Sequence, residues 1–402
     1  MPVTGPPYGS SLSTMGPGGR RGERIRLTAA VAVTAVLVSA PGGAAGSPAA
    51  SDAGSRTDEL SVLMSGDVLV HSPLVRQAAR DRVPGGPSLN FDRMLAAQRP
   101  RVAAADLAIC HLETPIAPPG GPYTGYPRFK APAHVVTSLR RVGYDVCTTA
   151  SNHSLDDGHR GVTRTLQVLD SNRIAHTGTA RSAEERNRPL IRTVRGVKVG
   201  VVSTTFSTNG IPVPRDKKWS VSTLDRAALV KDIGRTKAAG AEIVVVAVHA
   251  GTEYSHVPSA QQEQIRSWVH GTKQVDAVYF HHAHVVEPIE KVGYRWVAWG
   301  LGNTFATSTT TPNPSTGEQV MTRFRFRRVR GDRWTVASVA IIPGYSPDVA
   351  PYRWVDLVTA SRDASLPAAT RNRYATRARH VRSVVGARGG FGDGVYQVWP
   401  LR

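Results

Sequence analysis

The sequence predicts an α/β fold, and two features of the chain support this class. From about Leu60 onward, short apolar runs alternate with amphipathic segments, as strands and helices do when they follow one another along a chain. Several of these apolar runs end directly in polar or ionisable residues. In open α/β sheets the ends of the strands form the ligand crevice, so the sequence predicts a site at that edge.

The first part of the pattern contains three predicted strands and two predicted helices. LSVLMSGD and RVAAADLAICHLE are strands that end at Asp67 and Glu113. HVVTSLRRVG has helical spacing and a glycine stop, and it leads into the third strand, YDVCTTA. Asn152 and His153 follow that strand, and DDGHRGVTRTLQVLDSN then predicts a helix that opens with aspartate.

The second part of the pattern predicts further strands and a hairpin. IAHTG, VKVGVVSTT and AEIVVVAVHA are strands, and the last of them ends at His249. SAQQEQIRSWVHG is a helix, VDAVYFHHAH is a strand that runs into His282 and His284, and GYRWVAWGLGN is another strand. VMTRFRFRRVRGDRWTVASVAIIPG alternates with a period of two around the turn RGDR, which predicts a β-hairpin.

The first fifty residues are predicted to lie outside the fold. RRGERIR precedes the apolar run from Leu27 to Ala40, and small residues follow, which is the order of a secretory signal. The apolar run is short for a membrane span, which needs about 20 residues, although an uncleaved signal anchor stays open. We therefore expect residues 1–50 to be a signal peptide or signal anchor with a flexible linker. The protein is then exported, and is either extracellular or associated with the cell envelope.

The composition is that of a globular protein with a strong positive charge. Hydrophobic residues make up 41% and charged residues 20% of the 402 residues, and 50 Lys+Arg against 30 Asp+Glu give a net charge of +20. Such an excess favours a polyanionic partner, but a high arginine content without any partner is an equal alternative. The arginines between Arg371 and Arg382 have helical spacing and form either a solvated surface helix or a basic patch.

Cys110 and Cys147 are the two cysteines, and both lie inside apolar runs. An exported protein can join them in a disulfide if their strands are neighbours. We expect buried free thiols instead, because neither cysteine has the clustered spacing of a metal or redox motif.

Six residues at the ends of predicted strands have the side chains that bind metal ions. Carboxylates, an amide and imidazoles together hold pairs of divalent ions such as Zn, Mn or Fe. Paired ions lower the pKa of a bridging water and stabilise charge on oxygen during hydrolysis, so no serine or cysteine nucleophile is needed. The six residues are Asp67, Glu113, Asn152, His249, His282 and His284.

Five stretches together resemble the CapA family of poly-γ-glutamate (capsule) synthesis proteins, which is itself similar to the calcineurin-like metallophosphoesterases. They run in the family's order from about residue 60 to residue 306: MSGDVLVHSPL, DLAICHLETPI, the segment from YPRFKAP to HTGTA, VVVAVHAGTEY, and the segment from VDAVYFHHAH to GLGNTFA. The resemblance implies a four-layer α/β/β/α sandwich of the metallophosphoesterase type over residues 58–345. An Arg-rich extension over residues 346–402 lies outside it.

The resemblance also implies a role for each residue at the site. Asp67 ligates a first metal ion, Glu113 takes the place of the bridging carboxylate, and Asn152 binds the second ion. His249 and His282 complete the second site, and His284 completes the first. Two divalent ions, Mn, Zn or Fe, are the implied cofactors.

A general acid is implied beside the metal ions. His153 stands where metallophosphoesterases carry the imidazole that assists the leaving group. Asp156 either orients His153 or caps the following helix. His281 is expected to be a packing residue, because adjacent side chains on a strand point to opposite faces. His71, His111 and His256 are expected at most to contact the metal ligands from outside. Asn303 in GLGN is expected to bond either a ligand or only a turn.

The implied function is a part in the synthesis, anchoring or release of poly-γ-glutamate or another cell-surface polymer. Metal-activated water would hydrolyse or transfer an amide or phosphoester bond. The expected partners are an anionic polymer such as poly-γ-glutamate and a membrane-bound polymer synthase complex, and nucleic acid is not expected. Two alternatives stay open: a non-catalytic scaffold or export protein with a vestigial metal site, and a binder of anionic polymer driven by charge alone.

Overall fold

Two β-sheets, each covered by helices on its outer face, form the fold of residues 57–307, 314–331 and 333–401, which the computed structural model describes. The predicted signal segment lies outside these ranges. Within them, every helix is too short or too polar to span a bilayer.

The strands follow the predicted order along the chain. They are β1 (Glu59–Val68), β2 (Leu107–Leu112), β3 (Val146–Thr148), β4 (Ala175–Thr177), β5 (Leu190–Val194), β6 (Val197–Thr205), β7 (Ile243–His249), β8 (Ala277–His281), β9 (Ile289–Val292), β10 (Arg295–Ala298), β11 (Glu318–Val329), β12 (Arg333–Tyr345), β13 (Val355–Asp356) and β14 (Val395–Gln397). The first sheet has the order β13-β12-β11-β1-β2-β3-β4, with β14 paired to β12, and the second has the order β5-β6-β7-β8-β10-β9. The predicted hairpin is β11 and β12, which pair antiparallel.

Local sequence signals mark the ends of some of the helices. They are α1 (Ser72–Arg80), α2 (Asp92–Leu95), α3 (Arg99–Val102), α4 (His134–Val142), α5 (Gly158–Ser171), α6 (Ala183–Asn187), α7 (Arg226–Ala238), α8 (Ala260–Gly271), α9 (Leu357–Ala360), α10 (Ala368–Val385) and α11 (Gly390–Asp393). Gly143 ends α4 in a positive-φ conformation (φ 120°) that glycine adopts readily. Ser259 and Gln262 form a capping box that starts α8.

Three apolar layers show that the predicted four-layer sandwich is correct. The core between the sheets contains Val62 of the first sheet and Val245 of the second. The outer face of the first sheet buries residues such as Leu63 against α1, α4 and α5, and the outer face of the second buries Val246 against α7 and α8. Because both faces of the central strands are covered, β7 is buried at every position and reads as a continuous apolar run.

The Arg-rich C-terminal segment packs against the first sheet. Val381 and Val385 of α10 contribute to the core between the sheets, and β14 pairs parallel to β12. Arg377 and His380 on α10 both contact the buried carboxylate of Glu318. The boundary at residue 346 stays a prediction from the family pattern.

The expectation of free thiols is wrong, because Cys110 and Cys147 form a disulfide. Strands β2 and β3 pair in parallel with Cys110 directly opposite Cys147, and the two Cα atoms are 4.5 Å apart. The sequence places each cysteine in a strand, but only the pairing and register of the strands bring the two sulfur atoms together.

Candidate metal centre

The six predicted ligands meet at one edge of the sandwich. Strands β1, β2 and β3 of the first sheet end there, and so do β7 and β8 of the second sheet. All six side chains are buried: Asp67, Glu113, Asn152, His249, His282 and His284. The arrangement of parallel strands therefore converts residues that are far apart in sequence into one cluster.

Asp67 is fixed at the end of β1 by a close contact between two loops. A Cβ atom on the preceding Gly66 would lie 1.9 Å from the carbonyl oxygen of Gly302, so only glycine fits at position 66. The Asp67 amide donates to that carbonyl over 3.0 Å. Its carboxylate oxygens lie 2.8 Å from His281 Nδ1 and 3.3 Å from His284 Nδ1.

Glu113 follows β2 and has a carboxylate that no hydrogen bond satisfies. Both oxygens are buried and neither has a hydrogen-bond partner in the described chain. Oε1 lies 3.7 Å from His249 Nε2 and 3.9 Å from His284 Nε2. These distances are too long for hydrogen bonds, but two ligands of a single cation with bonds of about 2.1 Å are separated by a similar distance.

Asn152 and His249 form a second contact across the two sheets. Asn152 Oδ1 lies 2.9 Å from His249 Nε2. On its other side, His249 Nδ1 lies 3.0 Å from His111 Nε2, and His111 Nδ1 lies 2.8 Å from Thr148 Oγ1. Burial lowers the pKa of both His249 and His111 well below the ordinary value, so both rings are neutral, as metal-ligating imidazoles must be.

The loop after β8 holds His282 and His284 in an unfavourable backbone conformation. His282 has φ 85° and His284 has φ 58°, which non-glycine residues rarely adopt. Two contacts hold the loop: the Tyr254 amide donates to the carbonyl of Ala283 over 2.8 Å, and His284 Nδ1 lies 2.8 Å from Asn303 Oδ1. Backbone strain of this kind concentrates at functional sites, where the surrounding structure maintains it.

His281 does not pack away from the site, so that expectation is wrong. Its Nδ1 contacts Asp67, and its ring stacks on His111 with centroids 4.0 Å apart. The rule that neighbouring side chains alternate applies only within a strand, and β8 ends at His281. The left-handed backbone at His282 then turns the next imidazole toward the cluster as well.

The buried charges of the cluster perturb one another strongly. Burial raises the pKa of Glu113 well above its ordinary value. Burial alone would lower the pKa of His284, but Glu113 and Asp67 raise it to about 10. The pKa of Asp67 is lowered despite its burial, because His281 lies beside it. The carboxylates and imidazoles of the cluster therefore do not divide into separate ion pairs in which one charge cancels one other charge.

His153 and Asp156 form a separate pair at the edge of the cluster. His153 Nδ1 lies 2.7 Å from Asp156 Oδ2, and the same oxygen accepts a hydrogen bond of 2.7 Å from the Phe129 amide. Asp157 precedes α5, and its side chain makes no capping hydrogen bond. Of the two roles predicted for Asp156, the geometry matches the one in which it orients His153.

A cavity of about 340 Å³ leads to the cluster from the surface. Its lining combines His153 and His284 with the exposed rings of Tyr126 and Tyr254. Glu253 and His71 also line it. A molecule entering this cavity would contact the imidazole of His153 and the cluster of carboxylates and imidazoles together.

Sequence reasoning missed three residues with ligand atoms in the cluster. Groups whose ligand atoms all lie within 4.8 Å are Asp67–Glu113–His284, Asp67–His111–His249 and Glu253–His282–His284. His111 and Glu253 thus join the six predicted residues, and His281 contacts Asp67. The only sequence signal was the position of Glu253 in AVHAGTEY, four residues after His249. That signal is weak, because a single acid in a loop is common.

The other histidines that the sequence singled out have different positions. His71 lies at the rim of the cavity with its ring edge-on to Phe129, and burial lowers its pKa to about 4. His256 contacts the carbonyl of Val286 at 2.6 Å and the ring of His380. Asn303 makes both of the contacts that were predicted as alternatives. Its Oδ1 contacts Nδ1 of His284, and its Nδ2 donates to the carbonyl of Thr316.

The fold and the cluster define a class: a four-layer α/β/β/α sandwich with carboxylate, amide and imidazole groups at the strand ends. The family model described as "Bacterial capsule synthesis protein PGA_cap" matches residues 61–308. The chain belongs to this family. The match begins in β1 and ends just after the Asn303 loop, so it contains every residue of the cluster.

Two curated relatives share part of the chain. The capsule biosynthesis protein CapA of Bacillus anthracis is 25% identical over 177 residues, which is 43% of this chain and 43% of the relative. The PGA biosynthesis protein CapA of Bacillus subtilis is 28% identical over 170 residues, which is 42% of this chain and 44% of the relative. The chain thus matches less than half the length of either relative.

Solved structures with a similar fold are distant in sequence. The calcineurin-like phosphoesterase YfkN of Bacillus subtilis has a TM-score of 0.42 and 15% identity, covering 81% of this chain and 99% of that chain. A putative 5'-nucleotidase of Staphylococcus aureus has a TM-score of 0.47 and 13% identity, covering 80% and 58%. The activities in these names belong to those proteins.

Proposed function

We propose that this chain is a metal-dependent hydrolase or transferase of the cell envelope that acts in the synthesis, anchoring or release of poly-γ-glutamate or another surface polymer. The bond would be an amide or a phosphoester. The family membership and the names of the two curated relatives support the polymer, and the buried cluster supports the chemistry.

The observation that carries the chemistry is the Glu113 carboxylate. A buried carboxyl group without hydrogen bonds is costly, and native proteins rarely keep one without a function. Nε2 of His249 and Nε2 of His284 lie near the Glu113 carboxylate, at distances that suit a shared cation and not a hydrogen bond. The residues present therefore fit divalent metal ions bound between the two sheets.

We assign the ligands in two groups that share Glu113. Asp67 and His284 belong to the first group, whose ligand atoms lie within 4.8 Å of Glu113. The second group is Asn152, His249 and His282. When bound, two divalent ions of the Mn, Zn or Fe type would activate a water molecule and stabilise negative charge on oxygen.

The remaining side chains of the site position the substrate and move a proton. His153 lines the cavity, and the hydrogen bond from its Nδ1 to Asp156 Oδ2 fixes its ring, so its other nitrogen is directed away from that carboxylate. We propose that His153 donates a proton to the leaving group. His111 and Thr148 support His249 from behind, as outer partners of metal-ligating histidines do.

Three features support a location in the cell envelope. The family and both relatives are named for capsule or polymer biosynthesis. The residues before position 50 have the order of a secretory signal. The Cys110–Cys147 disulfide is typical of an oxidising compartment. A membrane-bound synthase complex stays a proposed partner.

The test combines elemental analysis with turnover. We expect the purified chain to contain about two divalent ions, and to release product from γ-glutamyl amides or from phosphoesters. Asn152→Ala should lose one ion and most of the turnover, because its oxygen is the only amide ligand in the set. Metal binding without turnover on any substrate, together with lost polymer export in cells, would favour the scaffold alternative.

Binding driven by charge alone gives a different result. The affinity for anionic polymer would then fall steeply with salt and would be the same in wild type and in variants of the cluster. Equal binding by the chelated wild type and by Asp67→Asn, with no turnover from either loaded protein, would reject the proposed chemistry.

A further inference from the structure

A groove of about 870 Å³ lies at the end of the sandwich opposite the metal centre. Its walls come from the residues just before β7 and β8, from the β9–β10 turn and from the start of β12. The cluster lies at the other ends of β7 and β8. With seven residues in β7 and a rise of about 3.3 Å per residue, the two places are about 20 Å apart.

Three cations of the groove lack a carboxylate partner. Lys237, Lys273 and Arg295 line it, and in the described part of the chain no carboxylate forms an ion pair with any of them. Other basic residues of the protein are neutralised, as Arg101 is by Asp356 at 2.6 Å and Arg186 is by Asp232 at 2.6 Å. The groove therefore keeps positive charge that ion pairs of this kind would cancel.

Two of these cations are held in place by the protein backbone. Lys237 Nζ donates to the carbonyl of Glu242 over 3.0 Å, and Arg295 Nε donates to the carbonyl of Val275 over 3.0 Å. Because these contacts use neutral acceptors, they orient the two groups without cancelling their charge. Less side-chain entropy is then lost when an anion binds.

The groove also holds two carboxylates, which its four basic residues outnumber: Lys237, Lys273, Arg295 and Arg333 against Glu242 and Asp276. The carboxylate of Asp276 accepts from the Val244 amide over 2.8 Å, and that of Glu242 accepts from the Lys198 amide over 3.1 Å. Tyr294 is 65% exposed, and the guanidinium of Arg295 lies 4.2 Å from the centre of its ring. An exposed ring beside fixed cations offers apolar contact to the methylene groups of a polymer.

We propose that this groove binds an extended polycarboxylate strand and so forms a second, non-catalytic contact for the polymer. The identity of the polymer rests on the proposed function, whereas the anionic character of the ligand follows from the unpaired cations. Because β7 is buried along its whole length, a strand that occupies the groove and the metal centre at once must run over the surface and be longer than about 20 Å, which a short fragment is not. Occupation of the groove raises the effective concentration of polymer at the metal centre.

The first experiment measures binding without turnover. Fluorescent poly-γ-glutamate is titrated against the full-length chain in the presence of a chelator. Lys237→Glu with Lys273→Glu should weaken the affinity about tenfold. The matched control is Lys231→Glu with Lys291→Glu, which changes the net charge equally at exposed positions outside the groove. It should weaken the affinity less than threefold.

The outcomes separate the groove from the metal centre. Equal losses in both double variants, or no loss in either, would overturn the groove. Single-stranded DNA that binds more tightly than the polycarboxylate through the same two lysines would also overturn it. If the groove variant loses affinity but the loaded wild type cleaves nothing, the groove stands and the proposed hydrolysis fails.

Substrate length provides the second readout. In the loaded enzyme, the groove variant should raise KM for long poly-γ-glutamate about tenfold and leave KM for a γ-glutamyl dipeptide amide unchanged. A change that is equal for both substrates would mean that the two lysines act on the metal centre itself, which would contradict a separate site.

Discussion

The two ends of the sandwich are built on opposite principles. At the metal end, carboxylates and imidazoles are buried and in contact, and the loop with His282 and His284 has a strained backbone. At the groove end, Lys273 and Tyr294 are exposed, and no carboxylate of the described chain forms an ion pair with Lys237, Lys273 or Arg295. Substitutions at the metal end should therefore disturb chemistry and folding together, whereas those at the groove end should change only the binding of charge.

The largest effect is expected on turnover, from His153→Ala. Because His153 is the proposed proton donor and not a metal ligand, the variant should lose about 100-fold or more in kcat and keep its metal ions. Asp156→Asn should lose less, since the ring stays in place but loses its anionic partner. His159→Ala, at a half-buried position of α5 whose ring packs against Trp219, is the control with unchanged kcat. A full loss of metal in His153→Ala would make His153 a ligand instead.

Gly66→Ala tests how much the close contact between the two loops at the metal end contributes to the stability of the fold. The added Cβ would meet the Gly302 carbonyl at 1.9 Å, so the two loops must separate. We expect a loss of about 3 kcal/mol in the free energy of unfolding, measured by denaturant titration. Gly392→Ala meets nothing within 4 Å and should change stability by less than about 0.5 kcal/mol. Equal effects would show that the contact at Gly66 adapts freely.

Glu287 makes stability depend on pH close to the metal end. Burial raises its pKa from 4.5 in the unfolded chain to about 8, so the folded state holds an extra proton between these values. Stability must then fall as the pH rises through this window, by about 2 kcal/mol after relaxation. Glu287→Gln should flatten that part of the curve, measured by unfolding at pH 5 and pH 9. The exposed control Glu184→Gln should leave the curve as in wild type.

Glu113→Gln separates metal binding from folding. Since burial raises the pKa of Glu113 well above its ordinary value and so favours the neutral carboxyl group, an amide of the same shape should change the free energy of unfolding by less than about 1 kcal/mol. The metal content should nevertheless fall to less than half, because an amide cannot serve as a bridging anion. Retention of both ions at wild-type affinity would contradict the bridging assignment.

The smallest effect on folding is expected at the groove. Lys237→Glu with Lys273→Glu should leave the free energy of unfolding within about 0.5 kcal/mol of wild type, because in the described part of the chain neither ammonium group forms an ion pair that would be lost. A destabilisation above about 2 kcal/mol, measured under the same conditions as Gly66→Ala, would show that the groove end is as tightly coupled as the metal end.

Much of the fold and of the cluster could be predicted from the sequence. The alternating apolar runs placed β1, β2, β7 and β8, and the positions of Asp67 and Glu113 at strand ends predicted where ligands would gather. His281 shows the limit of such reasoning. Its side-chain direction depends on where β8 stops and on the left-handed backbone that follows, and periodicity does not report either.

By itself, the sequence determined which residues are apolar, where strands end and which ligand types stand there, because these properties are local. The tertiary structure alone decided that Cys110 meets Cys147, that Glu113 has no hydrogen-bond partner among the described residues and that Lys237 and Lys273 line one groove. Each of these depends on the pairing and register of strands far apart in the chain, and the free energy of packing the whole sandwich selects that pairing.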